Sequence, residues 1–350
     1  MFRSSLSALV LALGLLLVCT GCSGGGEKKS VPERTEPLIL HYALEDNSYS
    51  PFVEALRQFA KNVATRTGGM ILIEQNLFSP SAVNSDIVLN TVVNTLDLSL
   101  VPVNRLRTQD PGIELLGVPF LMQPATFETI MQPGNPIIKN GLKNFPVVAS
   151  HLVGLDVWYG GYLQILMRDR PVYSPEDMEG QRFWVRGPGP DEDYLFAMNA
   201  EPCEMSFTSG VYAVKHGYLD GIMLPVSMIV SNHLDDYMHY LSITSHARMN
   251  YVLLMSYAVW DKLSESERGI VKDEAVKAGT FVSELTVELE NIDLSRLRHK
   301  GRVKIIEPDT EPFIKKSEYV RRRYLHKYPA KAWILRQALH ELEMEARKAN

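Results

Sequence analysis

The sequence predicts an α/β protein of two domains or one split chain, and three observations carry that prediction. Strand-like apolar runs alternate with segments of helical period, an arrangement that gives parallel crossovers and a sheet covered on both faces. The 350 residues exceed what one hydrophobic core usually covers, which favours two domains or one split chain. One amphipathic segment, roughly 265–297, is long enough to cross from one domain to the other.

The elements follow in order. Leu38–Leu44 is the first strand-like run. Ser50 and Pro51 supply an N-cap and a first-turn proline, and Phe52, Leu56, Phe59, Ala60 and Val63 then recur at helical spacing until Gly68 and Gly69 stop the helix. Residues 70–74 read as a strand, 85–95 as a helix and 96–101 as a strand. A second unit begins near Trp158, with strands at 161–168 and 182–186, helices near 190–199 and 208–217, and an apolar run at 249–256. Ser264 and Glu267 then form a capping box. Behind it Val271, Ala275, Ala278, Val282, Leu285, Leu289 and Ile292 mark one face of the long helix. A last, charged amphipathic helix is expected over about 329–347.

Composition narrows the function. With 36 Lys+Arg against 41 Asp+Glu, a net charge of −5 and 45% apolar residues, the chain is an ordinary globular one. It is neither a disordered chain nor a basic nucleic-acid binder. Three cysteines, Cys19, Cys22 and Cys203, rule out a disulfide scaffold and a four-cysteine zinc site.

The N-terminus points to export. Arg3 is the only charge before Cys22, and the apolar run from Leu6 to Val18 is too short to span a bilayer, which takes about 20 helical residues. Residues 1–21 resemble a bacterial lipoprotein signal peptide that leaves an acylated Cys22 as the mature N-terminus, with Cys19 where leucine is usual. Residues 22–36 then form a flexible polar tether, and no later segment is apolar enough to cross a membrane. Cys203, the remaining thiol, reads as buried and inert.

No catalytic constellation accompanies these features. There is no Gly-x-Ser-x-Gly elbow, phosphate-cradling loop or His-Glu-x-x-His helix, and the nine histidines are scattered. The run Gly187-Pro188-Gly189-Pro190 spends two of its four positions on prolines, which offer no amide donor to a phosphate. The reading is a non-enzyme that calls for no cofactor and no metal.

The stretch 175–225 carries a resemblance. Pro175-Glu-Asp-Met-Glu-Gly180, the strand 182–185, Pro202-x-x-Met-Ser-Phe207 and Gly217-Tyr-Leu-Asp-Gly221-x-x-x-Pro225 resemble the signature of the DctP family, the substrate-binding proteins of TRAP transporters. Val118-Pro-Phe120, Trp260-Asp-Lys-Leu263 and 301–309 extend it over about 37–325. The resemblance implies a periplasmic-binding-protein fold of two discontinuous lobes joined by hinge strands and the long spanning helix. Lobe I would take 37–160 with about 250–289, and lobe II 161–249 with about 290–350.

Four positions depart from the family pattern. An arginine that forks onto a substrate carboxylate is replaced by Trp184, a second arginine by Gln164, an asparagine by Leu224, and an acidic contact by Pro102. Arg186, two residues on and on the same strand face, could enter the cleft from a displaced position. A buried carboxylate without a partner is costly, whereas burying hydrocarbon returns roughly 0.8 kcal/mol per methylene. The expectation is a hydrophobic or amphipathic small molecule, walled by Trp184, Leu224, Phe207 and Phe120, with Glu45 as a further polar contact. The alternatives are a lipid or hydrophobic-ligand shuttle uncoupled from transport, and a receptor for an organic acid held by Arg186.

The resemblance also implies partners and place. They are integral-membrane TRAP subunits driven by an ion gradient, a periplasmic location on a lipid anchor, and, from the likeness to a lipoprotein subgroup, a tetratricopeptide-repeat protein.

Overall fold

The computed structural model describes residues 35–44, 50–76, 87–121 and 151–332. Cys22 and the signal peptide, nearly all of the tether, Glu45 and most of the helix expected over 329–347 lie outside them.

The strands are β1 (Leu38–Leu44), β2 (Ile71–Gln75), β3 (Leu98–Pro102), β4 (Leu152–Met167), β5 (Arg182–Val185), β6 (Glu201–Glu204), β7 (Gly221–Leu224), β8 (Tyr240–Ser256) and β9 (Lys304–Ile306). The helices are α1 (Ser50–Arg66), α2 (Ile87–Val92), α3 (Pro190–Ala197), α4 (Phe207–Lys215), α5 (Val226–Ser231), α6 (Tyr257–Lys262), α7 (Glu265–Lys300), α8 (Glu311–Lys316) and α9 (Glu318–Lys327). Two 3-10 turns, Val103–Leu106 and Pro111–Gly117, follow β3.

Among the described residues the strands form one sheet in the order β2-β1-β3-β8-β4-β7-β5-β6, with β9 beside β8. The pairs β1–β2, β1–β3, β5–β6 and β5–β7 are parallel, but β3–β8, β4–β8 and β4–β7 are antiparallel. The sheet is therefore mixed, not the run of parallel crossovers expected. The cause is β4 and β8, which pair with each other along almost their whole lengths and join the two ends of the sheet. The short strand expected at 161–168 and the apolar run at 249–256 are parts of these long ones. Register shifts at Gly154/Asp156, Tyr159/Tyr162 and Leu163/Ile165 break the two-residue alternation that would have revealed their length.

Both faces of the sheet are covered. Leu98, Leu100, Leu253 and Met255 pack into a core shared with Phe52, Phe59 and Trp158, while Val101, Val252 and Leu254 face a second core with Val88, Leu106 and Leu116. This alternation within single strands is what a sheet buried on both sides requires.

Helix α7 runs 36 residues, opened by the Ser264/Glu267 capping box and closed by Gly301 in the left-handed conformation. Val271, Ala275, Ala278 and Val282 are buried as the spacing predicts. Ile292 is not: it is 47% exposed, because past Val282 the inward face changes to Thr286, Asp293 and Leu297. The helix approaches β4 closely at Gly279, where a Cβ would collide with Asp156 and with the Trp158 ring, and the Trp158 indole N–H donates to Ala275 O at 3.2 Å. On the other side Arg66, the last residue of α1, pairs with Asp273 and with the buried Glu274, which ties α1 to α7.

Candidate ligand-binding cleft

In a sheet with parallel strands, ligands bind beyond the carboxyl ends of those strands. Here β3 ends at Pro102, β5 at Val185 and β7 at Leu224, and all three residues line one open cleft of about 650 Å³ including its mouth. Leu163 of β4, with Arg248, Met249 and Asn250 of β8, forms the floor between them. Asn104 and Glu114 of the two 3-10 turns, with Arg186, Pro190 and Asp191, complete the lining.

Trp184 is a fixed wall. Its indole N–H donates to Met205 O at 3.0 Å, its ring meets Phe207 edge-on at 5.5 Å, and it lies against Gly210 so closely that a Cβ there would collide with it. Arg186 leaves the same strand and stacks its guanidinium over both rings, 5.1 Å from Trp184 and 5.2 Å from Phe207. Its Nη2 also reaches the Tyr251 hydroxyl at 3.4 Å. Strand β5 is itself held by Arg182, which forks onto Asp220 at 3.0 and 2.9 Å.

The cleft carries charge of both signs. Arg248 is buried beside the Tyr159 ring, 4.8 Å from its centroid, and desolvation lowers its pKa to about 10, so it remains a cation at neutral pH. Burial pushes the Asp191 carboxyl up to about 6, with Arg186 opposing the rise. Glu114 is 1% exposed, and burial raises its pKa also, against a hydrogen bond from Tyr328.

The predicted site residues divide. Trp184, Leu224, Pro102 and Arg186 meet in the cleft. Phe207 stands behind Trp184 as its edge-on support. Gln164 is turned to another task, because its amide accepts from Ser245 N at 2.8 Å and donates to Ser245 Oγ at 3.1 Å. That clasp holds Ser245 at φ 44°, a conformation costly for a residue with a side chain, opposite a register shift in β4. Phe120 is also out of the cleft wall. It packs 6.4 Å from both Tyr194 and His246, and its amide donates to His246 O at 2.6 Å, which fixes the segment after the second 3-10 turn. Cys203 is half-buried, less enclosed than expected.

Sequence reasoning missed Asn104, Glu114, Asp191, Arg248 and Asn250. The first two sit in 3-10 turns, which leave no hydrophobic period to read. Arg248 did leave a signal, a cation beside the apolar run at 249–256, which is rare unless the charge is put to use.

A mixed sheet whose two ends share long strands, with a cleft at the strand ends and a long helix packed on β4, fits a two-lobed binding-protein fold. The comparisons make the class particular. The sequence profile of DctP, bacterial extracellular solute-binding protein family 7, matches residues 42–327, and the chain belongs to that family. It is a TRAP-type substrate-binding protein of a family of solute-binding receptors.

Among curated relatives it is 25% identical over 276 residues to the C4-dicarboxylate-binding protein DctB of Bacillus subtilis, covering 77% of each chain. It is 23% identical over 218 residues to the sialic acid-binding periplasmic protein SiaP of Vibrio cholerae, covering 62% of this chain and 67% of that one. An uncharacterised protein of Sinorhizobium fredii is 26% identical over 268 residues, 76% of this chain, which spans about half, 48%, of that relative's length. In fold the chain is similar to a TRAP periplasmic solute-binding protein of Anaerococcus prevotii with bound D-glucuronate, at TM-score 0.77 and 17% identity over 88% of this chain and 98% of that one. A receptor of Ochrobactrum anthropi with its own C-terminus in the ligand pocket gives 0.74 and 19% over 89% and 97%.

Proposed function

We propose that the protein captures a small organic acid in this cleft and delivers it to integral-membrane TRAP subunits. The observation that carries the reading is the pair of guanidinium groups, Arg186 and Arg248, on one cleft. Arg248 is a buried cation on the cleft lining, so an anion brought beside it gains a charge-assisted contact that an alkyl chain does not. Arg186, two residues from the position where the family has its arginine, lines the cleft with its guanidinium over two aromatic rings. The apolar walls, Trp184, Leu224, Met223 and Pro102, then shape the cargo and do not replace its charge. This favours the organic-acid alternative over the hydrophobic cargo. Solved relatives of the same fold are described with acids bound, D-glucuronate in one and D-erythronate in another.

The receptor is periplasmic, and on this proposal Cys22 carries the lipid that anchors it. The tetratricopeptide-repeat partner belongs to the same proposal and would be seen by co-purification from membranes.

Calorimetric titration with a panel of carboxylic acids, D-glucuronate and succinate included, tests the central point. Wild type should bind at least one acid of the panel, and Arg186→Met should weaken that binding by about tenfold or more, the range of a charge-assisted hydrogen bond. Equal affinity in the variant, or binding of fatty acids alone, would refute it.

A further inference from the structure

The end of the sheet away from the cleft carries a surface that cargo binding does not use. The cleft stands at the carboxyl ends of β5 and β7 and beside Arg248 of β8. At the other end, β4 finishes at Met167, which pairs with Gly221 and Tyr240, the first residues of β7 and β8, and Tyr240 pairs with Lys304, the first residue of β9. Around these strand ends Tyr173, Tyr212, Tyr218 and Tyr237 are exposed. They are four of the six exposed tyrosines among the described residues, so the rings are gathered on one face and not scattered.

Contacts join them into one surface. Tyr212, near the end of α4, stacks on His216 with 3.9 Å between ring centroids, and Tyr218 lies near-parallel to His216 at 6.4 Å. Lys215 Nζ stands 5.5 Å over the Tyr237 ring. Arg168 spans the seam, its guanidinium donating to Val214 O and, at 3.2 Å, to Tyr237 O. His239 Nδ1 lies 3.0 Å from Arg168 O, and Lys304, whose amide donates to His239 O, places its Nζ 3.2 Å from Tyr173 OH.

The face is cationic on a chain whose net charge is −5. In the segments that build it, Arg168, Arg170, Lys215 and Lys304 are set against one carboxylate, Asp169. The ion pairs beside it, Lys300 with Asp235 and Arg302 with Asp236, cancel internally. Tyrosine has an apolar body and a polar tip, and lysine and arginine an apolar stem and a charged head, a combination that suits a lipid headgroup layer. A protein interface is instead depleted of lysine and, at its core, of charge.

We propose that this tyrosine-and-cation face rests on an anionic phospholipid surface. The periplasm places the receptor beside a bilayer, and each lysine or arginine held at an anionic surface is worth about fivefold in partitioning. The contact is independent of the cargo and of any lipid on Cys22. Because the face lies at the opposite ends of β7 and β8 from the cleft, a receptor resting on it holds the cleft away from that bilayer and open to solutes.

The test titrates the full chain with vesicles of phosphatidylcholine alone and of phosphatidylcholine mixed with phosphatidylglycerol. An acyl chain on Cys22 adds equally to both, so the ratio of the two partition coefficients reads the protein surface. Wild type should partition at least about tenfold more strongly onto the anionic vesicles, and raised salt should abolish the difference. Lys215→Glu with Lys304→Glu should bring the ratio to within about twofold of one. The same reversals at Lys61 and Lys272, on α1 and near the start of α7, change the net charge equally and should leave the ratio within about twofold of wild type. Tyr212→Ser with Tyr218→Ser should weaken binding to both kinds of vesicle by about threefold or more. These side chains lie at the surface, so every variant should keep the wild-type melting temperature. Equal partitioning of wild type onto the two vesicles, or a ratio lowered as far by the Lys61 and Lys272 reversals, would overturn the proposal and leave the organic-acid reading standing.

Discussion

Glu290 Oε1 stands 2.7 Å from where a Cβ on Gly161 would lie, and Pro225 crowds the same point at 2.7 Å. Gly161 has φ +112°, open in practice only to glycine, and it falls inside the Tyr159/Tyr162 register shift where β4 slips against β8. The long helix thus presses a carboxylate onto the place where the shared strand bends. Gly161→Ala forces both a strained dihedral and two collisions, so it should cost about 2 kcal/mol or more. A urea unfolding midpoint equal to that of wild type would refute the packing described.

Glu290 itself makes stability depend on pH. Burial pushes its carboxyl up to about 8 from an ordinary 4.5, against hydrogen bonds from the Val226 and Tyr162 amides. Between those two values the folded chain holds a proton that the unfolded chain has released. The stabilisation is complete below about 4.5 and is lost as pH rises through 8, by up to about 1.4 kcal/mol per pH unit. Glu290→Gln keeps the shape and removes the titration. The difference in unfolding free energy between variant and wild type should therefore grow in the variant's favour from pH 5 to pH 8. A constant difference across that range would show that Glu290 stays ionised in the fold.

The residues that were legible and those that were not differ in a physical way. Ser264 and Glu267 announced α7 because a capping box is a local device, and Val271 to Val282 announced its buried face because the helical period is local too. Ile292 broke the pattern where the helix presents a different face, which no spacing records. In the cleft, Trp184, Leu224 and Pro102 were placed by the family resemblance, as positions where its polar contacts are replaced, and Arg186 by the two-residue period of β5. Gln164 shares a strand with Leu163 but serves a bulge in β8, a pairing 81 residues away in sequence. Glu114 and Arg248 take their meaning from tertiary neighbours, Tyr328 for the one and Tyr159 for the other.

Asp191 should make ligand affinity depend on pH in the direction opposite to simple loss of charge. Its carboxyl lines the cleft beside Arg186 and, raised by burial, titrates near 6. At pH 7.5 it is ionised and repels an incoming carboxylate. At pH 5 it is largely neutral, while a ligand acid with an ordinary pKa of about 3–4 remains an anion. Affinity for D-glucuronate should therefore rise about three- to tenfold between pH 7.5 and pH 5, the scale of one screened charge pair at close range. Asp191→Asn should bind as tightly at pH 7.5 as wild type does at pH 5 and lose the dependence. Calorimetric titrations at three pH values decide it: a constant Kd in wild type would remove Asp191 from the ligand's surroundings. Weaker binding in acid would show that its ionised form accepts a hydrogen bond from the ligand instead of repelling it.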